Sequence, residues 1–343
     1  MTYLLAGRSQ CCSFHSSIGR PKKSPTRTLF VLVSRCDCRA SYTQSFQMIR
    51  VLGTVFGGLA GLAFGSFLNV CLTRWAAGES IVRPRSHCRS CGRTLAWWEN
   101  VPLVSWLALR GRCRTCRAWI GWRYVLVEAA VGGLWAVVGW RFLGQILTPE
   151  LAPDFDLGPI HFGIIPAIGM IIFLWLLVGI AVLDAEQLWV ADAATLPGIA
   201  LGLAIPLLDE SIVRGLWWEQ GEFRALLVNR LLAVAVAAGL ILLIRWIYKL
   251  IRHREGIGLG DAKLMAMLGA WLGLPGALLA FAIGVVLGAA AALVLIALPS
   301  THTDGQRWAL KKLPLGTFLC IGGIVSALWG APILAVYSRW AGF

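Results

Sequence analysis

Hydrophobic positions in this chain do not recur every second or every third to fourth residue, the periods of half-buried strands and helices; they run together in blocks of about twenty. At a rise of about 1.5 Å per residue, such a block crosses a hydrocarbon layer about 30 Å thick. Blocks of this kind occupy 51–72, 124–143, 162–183, 192–208, 226–251, 276–298 and 315–336, and a shorter one at 264–274 is divided from its successor by Pro275. Proline inside a helix loses a hydrogen bond and clashes with the preceding turn, so two helices are expected there. The pattern predicts an all-α polytopic membrane protein of about eight transmembrane helices. Gly57, Gly58, Gly61 and Gly65 in the first block are the small residues that let helices approach closely in lipid.

Composition agrees, with 58% of the 343 residues hydrophobic and 14% charged, which excludes an ordinary soluble domain. The net charge of +14 gains meaning from its distribution. Residues 74–123 hold ten Arg against Glu79 and Glu99. Lys249, Arg252, His253 and Arg254 cluster at the end of the fifth block, and Arg307, Lys311 and Lys312 fill the loop before the last. The loop carrying Glu150, Asp154 and Asp156 has no Lys or Arg, and the loop 209–224 is acidic on balance. Basic loops collect on the cytoplasmic side, so 74–123 is expected to be a cytoplasmic insert between helices one and two. Anionic lipid headgroups explain its arginines more simply than nucleic acid does. Trp97, Trp98, Trp106, Trp119 and Trp122 fit an interfacial aromatic belt.

Residues 1–47 differ in character: they carry +6 of the net charge and only a short apolar patch at 29–33. Because Met48 directly precedes the first long block, 1–47 is expected to be a non-native or disordered extension. The expected organisation is then a first membrane helix at 48–73, the insert at 74–123 and a seven-helix membrane domain at 124–343.

This orientation places two aspartates at one membrane depth on the cytoplasmic side, Asp184 where the third helix ends and Asp261 where the sixth begins. A helix C-terminus opposes negative charge, and a residue that breaks a local rule is a functional candidate. Asp261 follows Gly256, Gly258 and Gly260, whose bare backbone lets another chain lie beside it. The structural alternative for Asp261 is a helix N-cap; Asp192 is expected to cap the helix beginning at Ala193. If Asp184 and Asp261 meet, two like charges cannot both ionise, so the pair shares a proton. One carboxylate then takes a proton from water while its partner polarises a peptide carbonyl, with Gly258 and Gly260 positioning the substrate backbone. Two readings from other classes use the same carboxylates. A proton-coupled transporter would usually show internal repeats, and none is evident here. A noncatalytic membrane scaffold would tolerate Asn at either position.

Cys88-Arg89-Ser90-Cys91 and Cys113-Arg114-Thr115-Cys116 are separated by 21 residues. Two such knuckles near zinc-ribbon spacing predict one closed, structural Zn2+ site of four thiolates, and a reducing cytoplasm disfavours two disulfides. His87 is surplus to a site that four cysteines close. Cys11, Cys12, Cys36, Cys38, Cys71 and Cys320 show no ligand spacing.

With these residues in view, the chain resembles the type IV prepilin peptidases, bifunctional leader peptidase and N-methyltransferase enzymes of the GxGD intramembrane aspartic class. Gly65-Ser66-Phe67-Leu68-Asn69-Val70, Pro84-Arg85-Ser86-His87-Cys88 and Arg110-Gly111-Arg112-Cys113 look like the family's N-terminal domain. Gly258-Leu259-Gly260-Asp261-Ala262-Lys263-Leu264 resembles its second catalytic motif, and Pro314-Leu315-Gly316-Thr317-Phe318-Leu319 its C-terminal one. The resemblance implies Asp184 and Asp261 as the catalytic pair, in a bacterial inner membrane with the site facing the cytoplasm. It implies a prepilin or pseudopilin substrate, cut after a basic leader ending in Gly, whose new N-terminal residue is methylated from S-adenosylmethionine. The family often has Pro before the position of Asp192, where this chain has Ala191; its two Asp are 77 apart, with the extra length expected in the loop containing Trp217. No glycine-rich nucleotide loop follows a strand, so no residue is assigned to S-adenosylmethionine.

Overall fold

A computed structural model describes residues 25–80, 82–83, 85–143, 164–213, 220–253, 258–297 and 313–342. Outside them lie residues 1–24 of the expected extension, the Glu150, Asp154 and Asp156 loop, Trp217, Arg254, Gly256, and Arg307, Lys311 and Lys312. The chain divides into two units, Met1–Met48 and Ile49–Phe343. In the first, residues from Pro25 onward are helical. The second carries the site and every contact described below, α1 entering them only from Ile49 onward.

The described helices are α1 (Pro25–Ala77), α2 (Val104–Ala108), α3 (Trp122–Val138), α4 (Ile164–Gln187), α5 (Asp192–Val213), α6 (Gln220–Arg252), α7 (Leu259–Ala297) and α8 (Leu315–Ala341). Six segments among the described residues are long and apolar enough to cross a membrane: Gln47–Trp75, Trp122–Arg141, Ile165–Gln187, Phe223–Arg252, Leu259–Ala297 and Leu315–Ala341. The chain is a multi-pass, all-α membrane protein. Asp192–Leu208 is a shorter apolar helix, and α7 is broken in two; with these, the eight expected helices are accounted for.

The break in α7 lies at Gly273 (φ 68°, ψ 179°), two residues before the expected division at Pro275. Proline at 275 has no N–H for the carbonyl of Trp271, and its ring crowds that carbonyl. Glycine supplies the left-handed turn that lets the chain swing away. The freed carbonyls of Ala270 and Trp271 accept hydrogen bonds from Arg230 Nη1 of α6 at 3.3 and 3.1 Å. A cation thus sits on the negative end of the first half-helix.

In α1, the expected small-residue stripe faces α3. A Cβ on Gly61 would lie 2.8 Å from the carbonyl oxygen of Val131, and one on Gly65 2.8 Å from Cα of Glu128. Only hydrogen fits at these positions, so the two backbones nearly touch. The buried core is drawn from Leu68 and Leu72 of α1, Phe173, Leu177, Ile180 and Leu183 of α4, Leu264 and Leu268 of α7 and Leu319 of α8. It lies directly beneath the ends of α4 and α7 that carry the two aspartates.

Candidate active site

Asp184 sits in the last turn of α4 and is buried, a position its own helix dipole opposes. A second helix supplies the compensation. Helix α8 begins behind Pro314, which makes no side-chain cap, so its first N–H groups need partners from elsewhere. Asp184 Oδ2 accepts the backbone N–H of Thr317 at 2.6 Å and its hydroxyl at 3.1 Å, and the N–H of Gly316 also donates to this carboxylate. In effect Asp184 caps α8 in trans. A Cβ on Gly316 would come within 2.9 Å of the carboxylate, so glycine is what lets the group settle on the helix end.

Asp261 is the third residue of α7 and is also buried. It is not the N-cap that its sequence context allows. Its carboxylate reaches back to the backbone N–H of Gly258, the arrangement of the reciprocal half of a capping box. Gly260 lets α7 start against the turn before α5: a Cβ there would lie 2.8 Å from Cβ of Val190. Asp184 and Asp261 lie close enough to act on each other electrostatically, beside the buried Cys320 of α8. Two helix ends from segments far apart in sequence thus present paired carboxylates at one end of the core. Such a pair can divide acid and base roles over a shared proton.

Around the pair the helices are pinned by polar contacts. Lys263 Nζ meets Asp192 Oδ1 at 2.6 Å, so Asp192, itself in the first turn of α5, serves an ion pair rather than capping from outside that helix. Arg123 at the start of α3 bonds Glu186 Oε2 at 2.8 Å and Thr73 Oγ1 at 2.6 Å. Asn69 Nδ2 donates to the carbonyl of Tyr124 at 2.9 Å. Glu128, buried in α3, accepts the N–H of Leu103, whose own φ is 56°, and so fastens the insert to the membrane helix.

The insert between α1 and α3 contains two copies of one local fold. Gly92 N–H bonds the Cys88 carbonyl and Cys88 N–H the Arg93 carbonyl; four and five residues after Cys113, Arg117 and Ala118 repeat both bonds. Gly92 (φ 71°) and Arg117 (φ 59°) take the same left-handed turn. The Sγ atoms of Cys88, Cys91, Cys113 and Cys116 all lie within 4.8 Å of one another, and Cys88 and Cys116 are 3.7 Å apart. That separation is too long for a disulfide and close to the roughly 3.8 Å edge of a tetrahedron with metal–sulfur bonds of about 2.3 Å. The donor set could therefore hold a metal ion. Backbone N–H groups of Cys116 and Thr115 bring the Cys113 thiol down to about 6, whereas Cys91, with the other three thiols beside it, is raised to about 11. His87 lies outside the set, its Nδ1 3.2 Å from the Arg85 carbonyl.

Nearby, Arg93 bonds Glu99 Oε1 at 2.7 Å and holds that carboxyl below the usual range. Trp106, Trp119 and Trp122, expected in an interfacial belt, pack on one another with centroids 4.5 to 6.0 Å apart.

The structure brings Asp184, Asp261, Gly258 and Gly260 to one place and the four cysteines to another. Sequence reasoning assigned no role to Thr317, Gly316 or the Arg123–Glu186 pair. One signal was available: a helix starting at Pro314-Leu315-Gly316 has no capping side chain of its own and needs an acceptor from another element.

Residues 59–142 match the family model for the bacterial peptidase A24 N-terminal domain, and residues 171–293 that for the type IV leader peptidase family. The chain is 32% identical to a protein of Stutzerimonas stutzeri, over 82% of this chain and 92% of that one. It is 32% identical to one of Pseudomonas aeruginosa, over 88% and 98% respectively. With a protein of Burkholderia pseudomallei the identity is 35%, over 81% and 85%. Each of the three is named prepilin leader peptidase/N-methyltransferase. No solved structure matches the chain.

Proposed function

Because this chain belongs to the type IV leader peptidase family, we propose that it removes the basic leader from type IV prepilins or pseudopilins and methylates the exposed amine. The observation that carries the peptidase reading is the pairing of Asp184 with Asp261 at two buried helix ends. In this reading one carboxylate takes a proton from water, the water attacks the scissile carbonyl, and the protonated partner donates to that oxygen. Collapse of the tetrahedral adduct breaks the C–N bond and passes a proton to the leaving amine. Gly258 keeps a side chain away from the substrate backbone beside Asp261, while Gly260 serves the same end by letting α7 start close against Val190. The transporter and scaffold alternatives draw no support from the relatives.

S-adenosylmethionine would supply the methyl group to the new amine. Cys88, Cys91, Cys113 and Cys116 would hold Zn2+, which would staple the two knuckles of the segment 74–123 without taking part in either reaction. In this reading that segment and the aspartate pair face the cytoplasm across a bacterial inner membrane, an orientation that the positive-inside distribution supports. The test is to reconstitute the purified chain in vesicles with a prepilin peptide and radiolabelled S-adenosylmethionine. Cleavage with label on the mature fragment supports both activities; intact peptide beside correctly inserted protein contradicts them.

A further inference from the structure

Asp184 is held by a residue on another helix that so far has no part in the chemistry. We infer that Thr317 is a positioning residue for peptide hydrolysis, an inference that rests on reading Asp184 as half of the peptidase pair. Its backbone N–H and its hydroxyl converge on the same oxygen, Oδ2, at 2.6 and 3.1 Å. The amide fixes Oδ2, and the hydroxyl, whose single proton is shared between Oδ2 and the Ala181 carbonyl, further restrains the rotation of the carboxylate about its Cβ–Cγ bond. A carboxylate that must meet a water and a carbonyl within a few tenths of an ångström gains from such restraint.

The hydroxyl also lies 3.0 Å from the carbonyl oxygen of Ala181, one turn before Asp184 in α4. Thr317 therefore registers the start of α8 against both the backbone and the side chain of the last turn of α4. Gly316 completes the seat: any Cβ there would strike Cγ and Oδ2 of Asp184 at 2.9 Å. A purely structural threonine would need the Ala181 contact alone. The convergence on Oδ2 sets this one apart.

The test compares the full-length wild type with Thr317→Val, Thr317→Ser, Gly316→Ala and Asp184→Asn in vesicles. Cleavage of a prepilin peptide and methylation of an already trimmed peptide are measured separately. Thr317→Val is expected to lower kcat for cleavage roughly ten- to a hundredfold, the range for losing a hydrogen bond to a charged group, with KM within about twofold. Methylation of the trimmed peptide should stay at the wild-type rate, and Thr317→Ser should recover kcat to within about threefold. Gly316→Ala keeps the hydroxyl but displaces the carboxylate, and should reproduce the kcat loss; if the valine variant fails to fold, this variant decides. Wild-type kcat in Thr317→Val beside an inactive Asp184→Asn would overturn the role of Thr317 alone. Equal losses in the valine and serine variants, or a loss confined to KM, would overturn it as well. An active Asp184→Asn would overturn the pair and Thr317 with it.

Discussion

Arg123 Nη1 lies 2.8 Å from Glu186 Oε2, and Glu186 follows Asp184 by two residues. Arg123 stands where the chain leaves the cysteine insert and enters α3, so this contact joins the insert's exit to the helix end that carries an aspartate of the pair. Both side chains are partly exposed, which limits the pair to about 0.2–1 kcal/mol. Arg123→Ala is expected to slow cleavage only a few-fold, and the exchange of Arg123→Glu with Glu186→Arg to recover part of it. A double-mutant cycle on kcat/KM, repeated at high salt, checks this; the coupling should shrink as salt rises.

Close packing of α1 on α3 depends on glycine. With the carbonyl of Val131 2.8 Å from where a Cβ at Gly61 would stand, Gly61→Ala must push the helices apart. The expected cost is about 1–3 kcal/mol, read as a lower thermal midpoint in detergent. Gly133, beside which there is open space, should accept Ala without loss.

The break in α7 makes a separate prediction. Arg230→Met leaves the carbonyls of Ala270 and Trp271 without their donor, each costing about 1–3 kcal/mol if unmet. Thermal unfolding should show a clear loss for Met and a smaller one for Lys, whose single nitrogen can donate to both carbonyls as Nη1 does but from a shorter side chain.

The segment 74–123 is proposed to lie over the aspartate pair and receive the cleaved N-terminus, so loss of its metal should act on methylation and not on the membrane helices. Cys88→Ser with Cys113→Ser is expected to reduce bound zinc from one per chain to none and to abolish methylation, with the membrane helices still inserted. Elemental analysis, label transfer and protease protection of the membrane fraction measure the three. Full methylation without metal would contradict a structural zinc beneath that activity.

Much of this architecture was legible in the chain because lipid allows few solutions. Blocks such as 51–72 and 315–336 can only be membrane helices, and four cysteines in two knuckles can scarcely avoid one another. Asp184 announced itself by standing where its helix dipole opposes it. The answer to that conflict lay in the N–H groups of Gly316 and Thr317, the latter 133 residues away, and no local pattern links them to Asp184. The break at Gly273 was placed two residues late because proline marks the lost bond, whereas the backbone turns at the nearest glycine. Asp192 looked like a cap from its place before a helix, and its partner Lys263 belongs to a different one.

The central claim is that Asp184 and Asp261 act as one acid–base pair. The most direct test is cleavage of a prepilin-like substrate in membranes by wild type, Asp184→Asn and Asp261→Asn, with the mass of the mature fragment read at its N-terminus. Both variants are expected to insert normally and cut nothing, while the wild-type product is one methyl, about 14 Da, heavier than the bare fragment. Cleavage that survives either substitution would contradict it.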